Sequence, residues 1–101
     1  DWSHKSGISL YIRVPKNQGP VTLVVYNGGH NDLKPFDYKI VPDKKKGTVW
    51  QEVFITWDMF IQPSWAGSGI EKFNPSLAMG LAFSFDESEG SFWADDLKFI
   101  P

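Results

Sequence analysis

Short runs in which apolar and polar residues alternate are the feature that most restricts how this chain can fold. Residues 8–14 and 21–26 alternate with period two, and residues 77–85 show the clearest alternation of all. A period of two is the pattern of a β-strand with one buried face. Gly, Pro, Asn and Asp separate the runs at nearly regular spacing, which is typical of turns between antiparallel strands.

Three more segments complete the expected architecture. Further strands are predicted at residues 36–41, 49–56 and 91–100, and a single helical turn at residues 58–60. No segment has the apolar periodicity of a long helix. About six short strands with regular turns predict an all-β fold, an antiparallel β-sandwich. The 101 residues suffice for one domain, residues 1–101, with a modest core.

The apolar positions of the alternating runs should form that core. We expect the side chains on this face of each strand to be mostly buried. They are Ile8, Leu10, Ile12, Val21, Leu23, Val25, Val53, Ile55, Leu81, Phe83, Phe85, Leu97 and Phe99. We expect Trp50, Trp57 and Phe60 in the core or at the edge of the sandwich.

The charge balance argues against a nucleic-acid partner, and the lengths of the apolar segments argue against a membrane partner. The formal net charge is −2, whereas a nucleic-acid-binding domain of this size is normally basic. The basic run at residues 44–46 lies between Pro-Asp and Gly, which indicates a solvated turn. No segment approaches the roughly 20 consecutive apolar residues of a membrane-spanning helix. We therefore expect neither a nucleic-acid partner nor a membrane partner.

The aromatic content points to a binding surface. Eight Phe, five Trp and three Tyr are more rings than a core of this size should hide, so some are available to a ligand. The non-core positions of residues 77–85 are the small Ala78, Gly80, Ala82 and Ser84, which would form a flat floor. The candidate ligand-binding residues beside this floor are Tyr11, Arg13 and Tyr26.

Such a face suits a sugar chain, because pyranose rings lay apolar C–H faces on aromatic rings while their hydroxyls bond to polar groups. The alternative is that Tyr11 and Tyr26 are ordinary solvent-facing strand residues, since Tyr favours strands. Trp65 is the fourth candidate, because it lies in a polar, Gly-containing loop where burial is harder. The alternative for Trp65 is a ring folded back over the core.

Several segments resemble one group of sandwich proteins. Residues 50–60 (WQEVFITWDMF), 81–85 (LAFSF) and 90–97 (GSFWADDL) follow one another, and residues 1–14 open with Asp-Trp-Ser. Together they resemble the C-terminal two-thirds of jelly-roll carbohydrate-binding modules, particularly the family 11 type and its glucan- and mannan-binding neighbours. Complex I intermediate-associated proteins share a related series on the same galactose-binding-like sandwich. Thr56 departs from the pattern, because the family often has Pro there.

The resemblance implies a secreted, extracellular, non-catalytic module. Such a module would hold an appended glycoside hydrolase on β-glucan, cellulose or mannan. The alternative function is a structural or assembly domain of the same fold. The family usually begins with one or two strands before the Asp-Trp-Ser segment. Either the chain is cut, or a shortened sandwich is stable, or a second chain completes it.

The resemblance also implies a structural calcium ion. The Asp pair of the last strand is a common ligand in this kind of sandwich, and the matching pair here is Asp95-Asp96, with Asp95 the expected ligand. The alternative is an Asp pair that caps backbone amides. No feature marks an enzyme. Nucleophile elbows, phosphate loops and zinc signatures are absent from the sequence, and no carboxylate pair stands out as a glycosidase acid and base.

Overall fold

The computed structural model describes residues 1–14, 20–29, 32–41, 43, 49–66, 71–85 and 92–101. Within this part of the chain, six strands and three single turns of 3-10 helix are present. The strands are β1 (Gly7–Arg13), β2 (Val21–Gly29), β3 (Asp32–Ile40), β4 (Gln51–Thr56), β5 (Ala78–Phe85) and β6 (Trp93–Ile100). The 3-10 turns are Trp57–Met59, Ser64–Ala66 and Pro75–Leu77. The predicted all-β fold is confirmed.

Two three-stranded sheets form the sandwich, and every strand pairing is antiparallel. One sheet has the order β4-β1-β6 and the other has the order β3-β2-β5. β1 and β2 are the central strands, although they follow one another in the chain. Each therefore contributes its apolar face to the space between the sheets and its polar face to an opposite outer surface.

The core lies between the two sheets. Of the residues predicted to be buried, seven are buried. They are Ile8, Leu10, Ile12, Val21, Leu23, Val25 and Ile55. Phe36, Ile40, Trp57, Phe60 and Phe73 join them. The rings of Trp57 and Phe73 lie 5.4 Å apart, and Trp57 stacks on Trp2 at 5.6 Å. This aromatic cluster closes one end of the sandwich.

The prediction of burial is wrong for Leu97 and Phe99. Their side chains are 39% and 37% exposed, although Phe99 lies opposite the buried Ile8 in the register. Both belong to β6, which pairs with β1 alone and leaves its other edge unpaired in the described structure. Val53, Leu81 and Phe83 are only partly buried against the core, and the side chain of Phe85 lies outside the described structure. Trp50 is also exposed rather than part of the core.

Two strand boundaries differ from the prediction. β2 extends to Gly29 and β3 begins at Asp32, and these two residues pair. The Asn, Gly and Asp residues at 27–32 predict a loop, but residues 27–29 and 32 are strand, because pairing between β2 and β3 overrides their weak strand preference. The sequence also predicts an acidic hairpin turn at residues 86–90. This turn and the basic turn at residues 44–46 lie outside the described residues. The described part of the chain contains no helix of the length and apolarity that crossing a membrane requires.

Candidate functional site

The outer face of the β3-β2-β5 sheet is built from three rows of side chains. Because β2 is central, each outward residue of β2 has one neighbour on each side. The register gives the rows Lys39–Thr22–Ser84, Asp37–Val24–Ala82 and Pro35–Tyr26–Gly80. The predicted floor of small residues on β5 is thus present at Gly80, Ala82 and Ser84.

One member of the predicted floor is not on this face. A register shift lies between Tyr26 and Asn27, where β2 passes from Gly80 to Ala78 of β5. Ala78 packs against the core instead. On β2 the alternation continues without a break, since Tyr26 faces outward and Asn27 is buried. The floor of small outward residues on β5 therefore ends at Gly80.

A groove of about 320 Å³ runs along this face. Its size is at the lower end of the range for ligand sites in proteins, about 300–1,000 Å³. Thr22 and Val24 form its floor and are each only 8% exposed, although they lie on the outer surface of the sandwich. The groove is lined by Thr22, Val24, Tyr26, Pro35, Asp37, Trp65 and Ser84.

A short bridge to β3 brings Trp65 to the groove. The backbone N–H of Asp37 donates to the Ile61 carbonyl at 2.8 Å, and the N–H of Ile61 donates to the Asp37 carbonyl at 2.9 Å. The chain then turns through Ser64–Ala66. Trp65 is 79% exposed, so its ring is not folded over the core. Trp65 and Tyr26 thus lie in the same groove.

Tyr11 and Arg13 are on the other side of the molecule. They lie on the outer face of β1, in the β4-β1-β6 sheet, whereas Tyr26 lies on the outer face of β2. Contrary to the expectation, Tyr11 and Arg13 do not share a face with Tyr26, because β1 and β2 belong to different sheets. Tyr11 lies opposite Glu52, and the charge and hydrogen bonding of that carboxylate raise the pKa of the Tyr11 hydroxyl. The Arg13 guanidinium lies 5.2 Å from the centre of the Trp93 ring.

The structure adds Asp37, which the sequence did not single out. Asp37 is half-buried in the groove beside Trp65. Burial raises the pKa of its carboxyl above the ordinary value. One signal in the sequence could have identified it. Asp disfavours strands, yet Asp37 stands in the alternating run between Phe36 and Tyr38.

Asp95 is exposed on the outer face of β6, opposite Tyr11. Its carboxylate accepts a hydrogen bond from the backbone N–H of Asp96 at 2.8 Å. Asp96 has a φ of 54° and forms an ion pair with Lys98 at 3.3 Å. The described residues contain no group of three or more potential metal ligands, and Ca²⁺ takes six to eight oxygens. Asp95 and Asp96 are the carboxylates that the described structure brings together at this place.

A second cleft, of about 290 Å³, lies at the end of the same sheet. Two of its charged groups, Lys34 and Glu71, pair with each other. The Lys34 ammonium donates to Glu71 at 3.1 Å, and the Gln62 amide donates to the same carboxylate at 3.0 Å. These bonds lower the pKa of Glu71. Unlike the groove at Trp65, this cleft has no aromatic ring among its described lining residues.

Comparisons with protein-family models, with curated protein sequences and with solved structures found no match to this chain. The groove presents two aromatic rings, a hydroxyl-bearing floor and one carboxylate. Rings of this kind stack on other flat apolar surfaces, and the carboxylate accepts hydrogen bonds from donors such as hydroxyls.

Proposed function

We propose that this chain is a non-catalytic module that binds a polysaccharide of the β-glucan or mannan type. The groove on the β3-β2-β5 face is the observation that supports this proposal. It places Tyr26 and Trp65 along one recessed strip of sheet, with small side chains on β5 beside them. A linear sugar chain needs such a strip, because successive rings lie in one line.

The side chains of the groove match the two kinds of surface on a sugar. The rings of Tyr26 and Trp65 receive the apolar C–H faces of pyranose rings. The hydroxyls of Thr22 and Ser84 and the carboxylate of Asp37 bond to the sugar hydroxyls. The high exposure of Trp65 means that stacking buries apolar area that water otherwise covers, which favours binding.

Binding alone would give the module its effect. A bound module raises the effective concentration of any domain in the same chain at the polysaccharide surface. We propose that the appended domain is a glycoside hydrolase and that both act outside the cell. The support for the hydrolase and for the extracellular location is the resemblance in residues 50–60, 81–85 and 90–97, together with the aromatic rings and hydroxyls of the groove.

The direct test is binding of the wild-type chain to soluble and insoluble polysaccharides. We expect slower migration in native gels that contain mixed-linkage β-glucan, glucomannan or galactomannan, or retention on cellulose. Isothermal titration with oligosaccharides of increasing length then gives the number of sugar rings that the groove holds. Absence of binding to every polysaccharide in the panel would refute the proposal.

A second candidate function is that of a structural or assembly domain on the same sandwich. The exposed edge of β6 favours it, because Leu97 and Phe99 face the core side but stay partly open to solvent. Under this proposal an extended strand of a second chain pairs with β6 and covers both side chains. If the chain binds sugar and does not associate with a second chain through β6, the result supports the binding module over the assembly domain.

A calcium ion at Asp95 is likewise a proposal. Its support is the resemblance, in which an early-loop carboxylate and the Asp pair of the last strand hold the ion. The experiment is thermal unfolding with calcium and with a chelator. Calcium should raise the midpoint of wild type and leave that of Asp95→Asn unchanged.

A further inference from the structure

Asp37 occupies a position in the groove at which an ionised side chain is costly. It lies at the middle of β3, directly opposite Val24 of the central strand. Its backbone N–H and carbonyl both bond to Ile61, and its register in the sheet keeps it beside Val24. Asp37 thus lines the groove together with the floor residues Thr22 and Val24 and with Trp65.

No cation within the described structure compensates the Asp37 charge. The ion pairs there join Lys34 to Glu71 and Lys98 to Asp96, and neither includes Asp37. Lys39 is exposed one row along the same strand, and it forms no ion pair with Asp37. A half-buried carboxylate without a cationic partner is poorly solvated, which is why burial raises the pKa of Asp37.

The elements around Asp37 bring few other titratable groups. The neighbouring part of β2 contributes Tyr26 and no charged residue, and the segment 61–66 contributes none. The part of β5 on this face contributes Ala82 and Ser84. Among the described residues, the titratable groups that face Asp37 are therefore Lys39 and Tyr26. The hydroxyls of a bound sugar would supply hydrogen-bond donors to this carboxylate.

We infer that Asp37 determines the class of polysaccharide, so that the groove takes neutral chains and rejects chains that contain uronic acids. This inference rests on the proposed function and specifies its ligand. An ionised carboxylate has two oxygens that together accept several hydrogen bonds, which suits two neighbouring hydroxyls of one sugar. A sugar carboxylate in the same place would put two like charges together in a poorly solvated groove.

The same geometry should make affinity for a neutral chain fall at low pH. Hydroxyl donors stabilise the ionised form of Asp37, so a bound neutral chain lowers the pKa of that carboxyl relative to the free protein. By linkage, affinity for a neutral chain is full above the pKa of the free protein. It falls as the pH drops through that raised pKa, because protonation removes the acceptor.

The experiment compares a neutral polysaccharide with its charged derivative. The probes are mixed-linkage β-glucan or glucomannan, whichever wild type binds, and the same polymer after oxidation of its primary hydroxyls to carboxylates. Wild type should bind the neutral form at least tenfold more tightly at neutral pH. Asp37→Asn should bind the neutral form about tenfold more weakly, as expected for a lost charged hydrogen bond, should lose the acid-side fall in affinity, and should discriminate less between the polymers.

The control variant is Glu52→Gln, which removes the same charge on the opposite sheet. It should match wild type with both polymers at every pH, and denaturant unfolding confirms that both variants are folded. If wild type binds and Asp37→Asn has the same affinity, selectivity and pH dependence, the role of Asp37 is overturned and the proposed function stays in place. Absence of wild-type binding to any neutral polysaccharide would overturn both.

Discussion

Asn27 and Asn74 hold each other through a reciprocal pair of hydrogen bonds. The Asn27 side-chain amide donates to the Asn74 carbonyl at 2.7 Å, and the Asn74 backbone N–H donates to Asn27 Oδ1 at 2.8 Å. Asn27 is buried at the point where the register of β2 shifts against β5. The pair therefore joins the central strand to the loop before Pro75–Leu77, and both residues line the second cleft.

Asn27→Ala should destabilise the protein by about 2 kcal/mol, since it removes two hydrogen bonds worth about 1 kcal/mol each. The matched control is Gln51→Ala. Gln51 makes the same reciprocal pair with the backbone of Asp43, at 3.0 and 3.3 Å, but on the surface. Its loss should cost about 0.5 kcal/mol or less. Urea unfolding measures both, and equal costs would contradict the structural role of Asn27.

The loss of unfolding free energy in three Phe→Ala variants should increase with the burial of the ring that is removed. Phe36→Ala removes a fully buried ring and should cost about 3–5 kcal/mol. Phe83→Ala should cost less, because its ring is only partly buried. Phe99→Ala should cost roughly half as much as Phe36→Ala, or less, because solvent already reaches the ring. The measurement is the free energy of unfolding, and a Phe99 cost equal to that of Phe36 would mean that a partner covers β6 in solution.

Trp65→Ala and Tyr26→Ala should each weaken polysaccharide binding by about 1 kcal/mol or more, as other aromatic contacts do. Trp65→Ala should change stability by less than about 0.5 kcal/mol, since the ring is on the surface. Tyr11→Ala is the control on the opposite sheet and should bind as wild type does. Titration calorimetry with one polysaccharide checks all three. A loss confined to Tyr11→Ala would move the binding site to the β4-β1-β6 face.

Glu71 should contribute stability that is lost in acid. Hydrogen bonds from Lys34 and Gln62 hold its pKa below the ordinary value of 4.5. A carboxyl group with a lowered pKa in the folded state stabilises above its unfolded pKa, and this contribution disappears as the pH falls through the folded pKa. When the unfolding midpoint is plotted against pH, it should therefore fall less steeply on the acid side for Glu71→Gln than for wild type. Glu52→Gln is the control, and identical limbs in wild type and Glu71→Gln would refute the expectation.

The edge of β6 that has no partner strand in the described structure should cause self-association at high concentration. An exposed apolar edge strand is a template for pairing with another chain, and Leu97 and Phe99 make this edge apolar. Sedimentation should show more dimer as the concentration rises, and Leu97→Lys should suppress it. Leu33→Lys, on the edge strand of the other sheet, is the control and should have little effect. A wild-type chain that stays monomeric throughout would contradict this expectation.

The fold could be predicted because strand patterns are local. Alternation in residues 8–14 and 21–26 identified β1, β2 and their buried faces, since a period of two depends only on neighbouring residues. The same alternation predicted the small residues of β5 that lie beside Thr22 and Val24. It failed for Leu97 and Phe99, because their burial depends on whether β6 has a second neighbour.

The sequence by itself therefore determined the all-β class, most of the core and the supply of aromatic residues. Only the tertiary structure decided which of those residues meet. Tyr11 and Tyr26 occupy equivalent outward positions on consecutive strands, and no local pattern shows that these strands enter different sheets. Trp65 reaches Tyr26 through the bridge between Asp37 and Ile61, a contact between distant parts of the chain. Long-range backbone pairing, rather than residue type, created the groove.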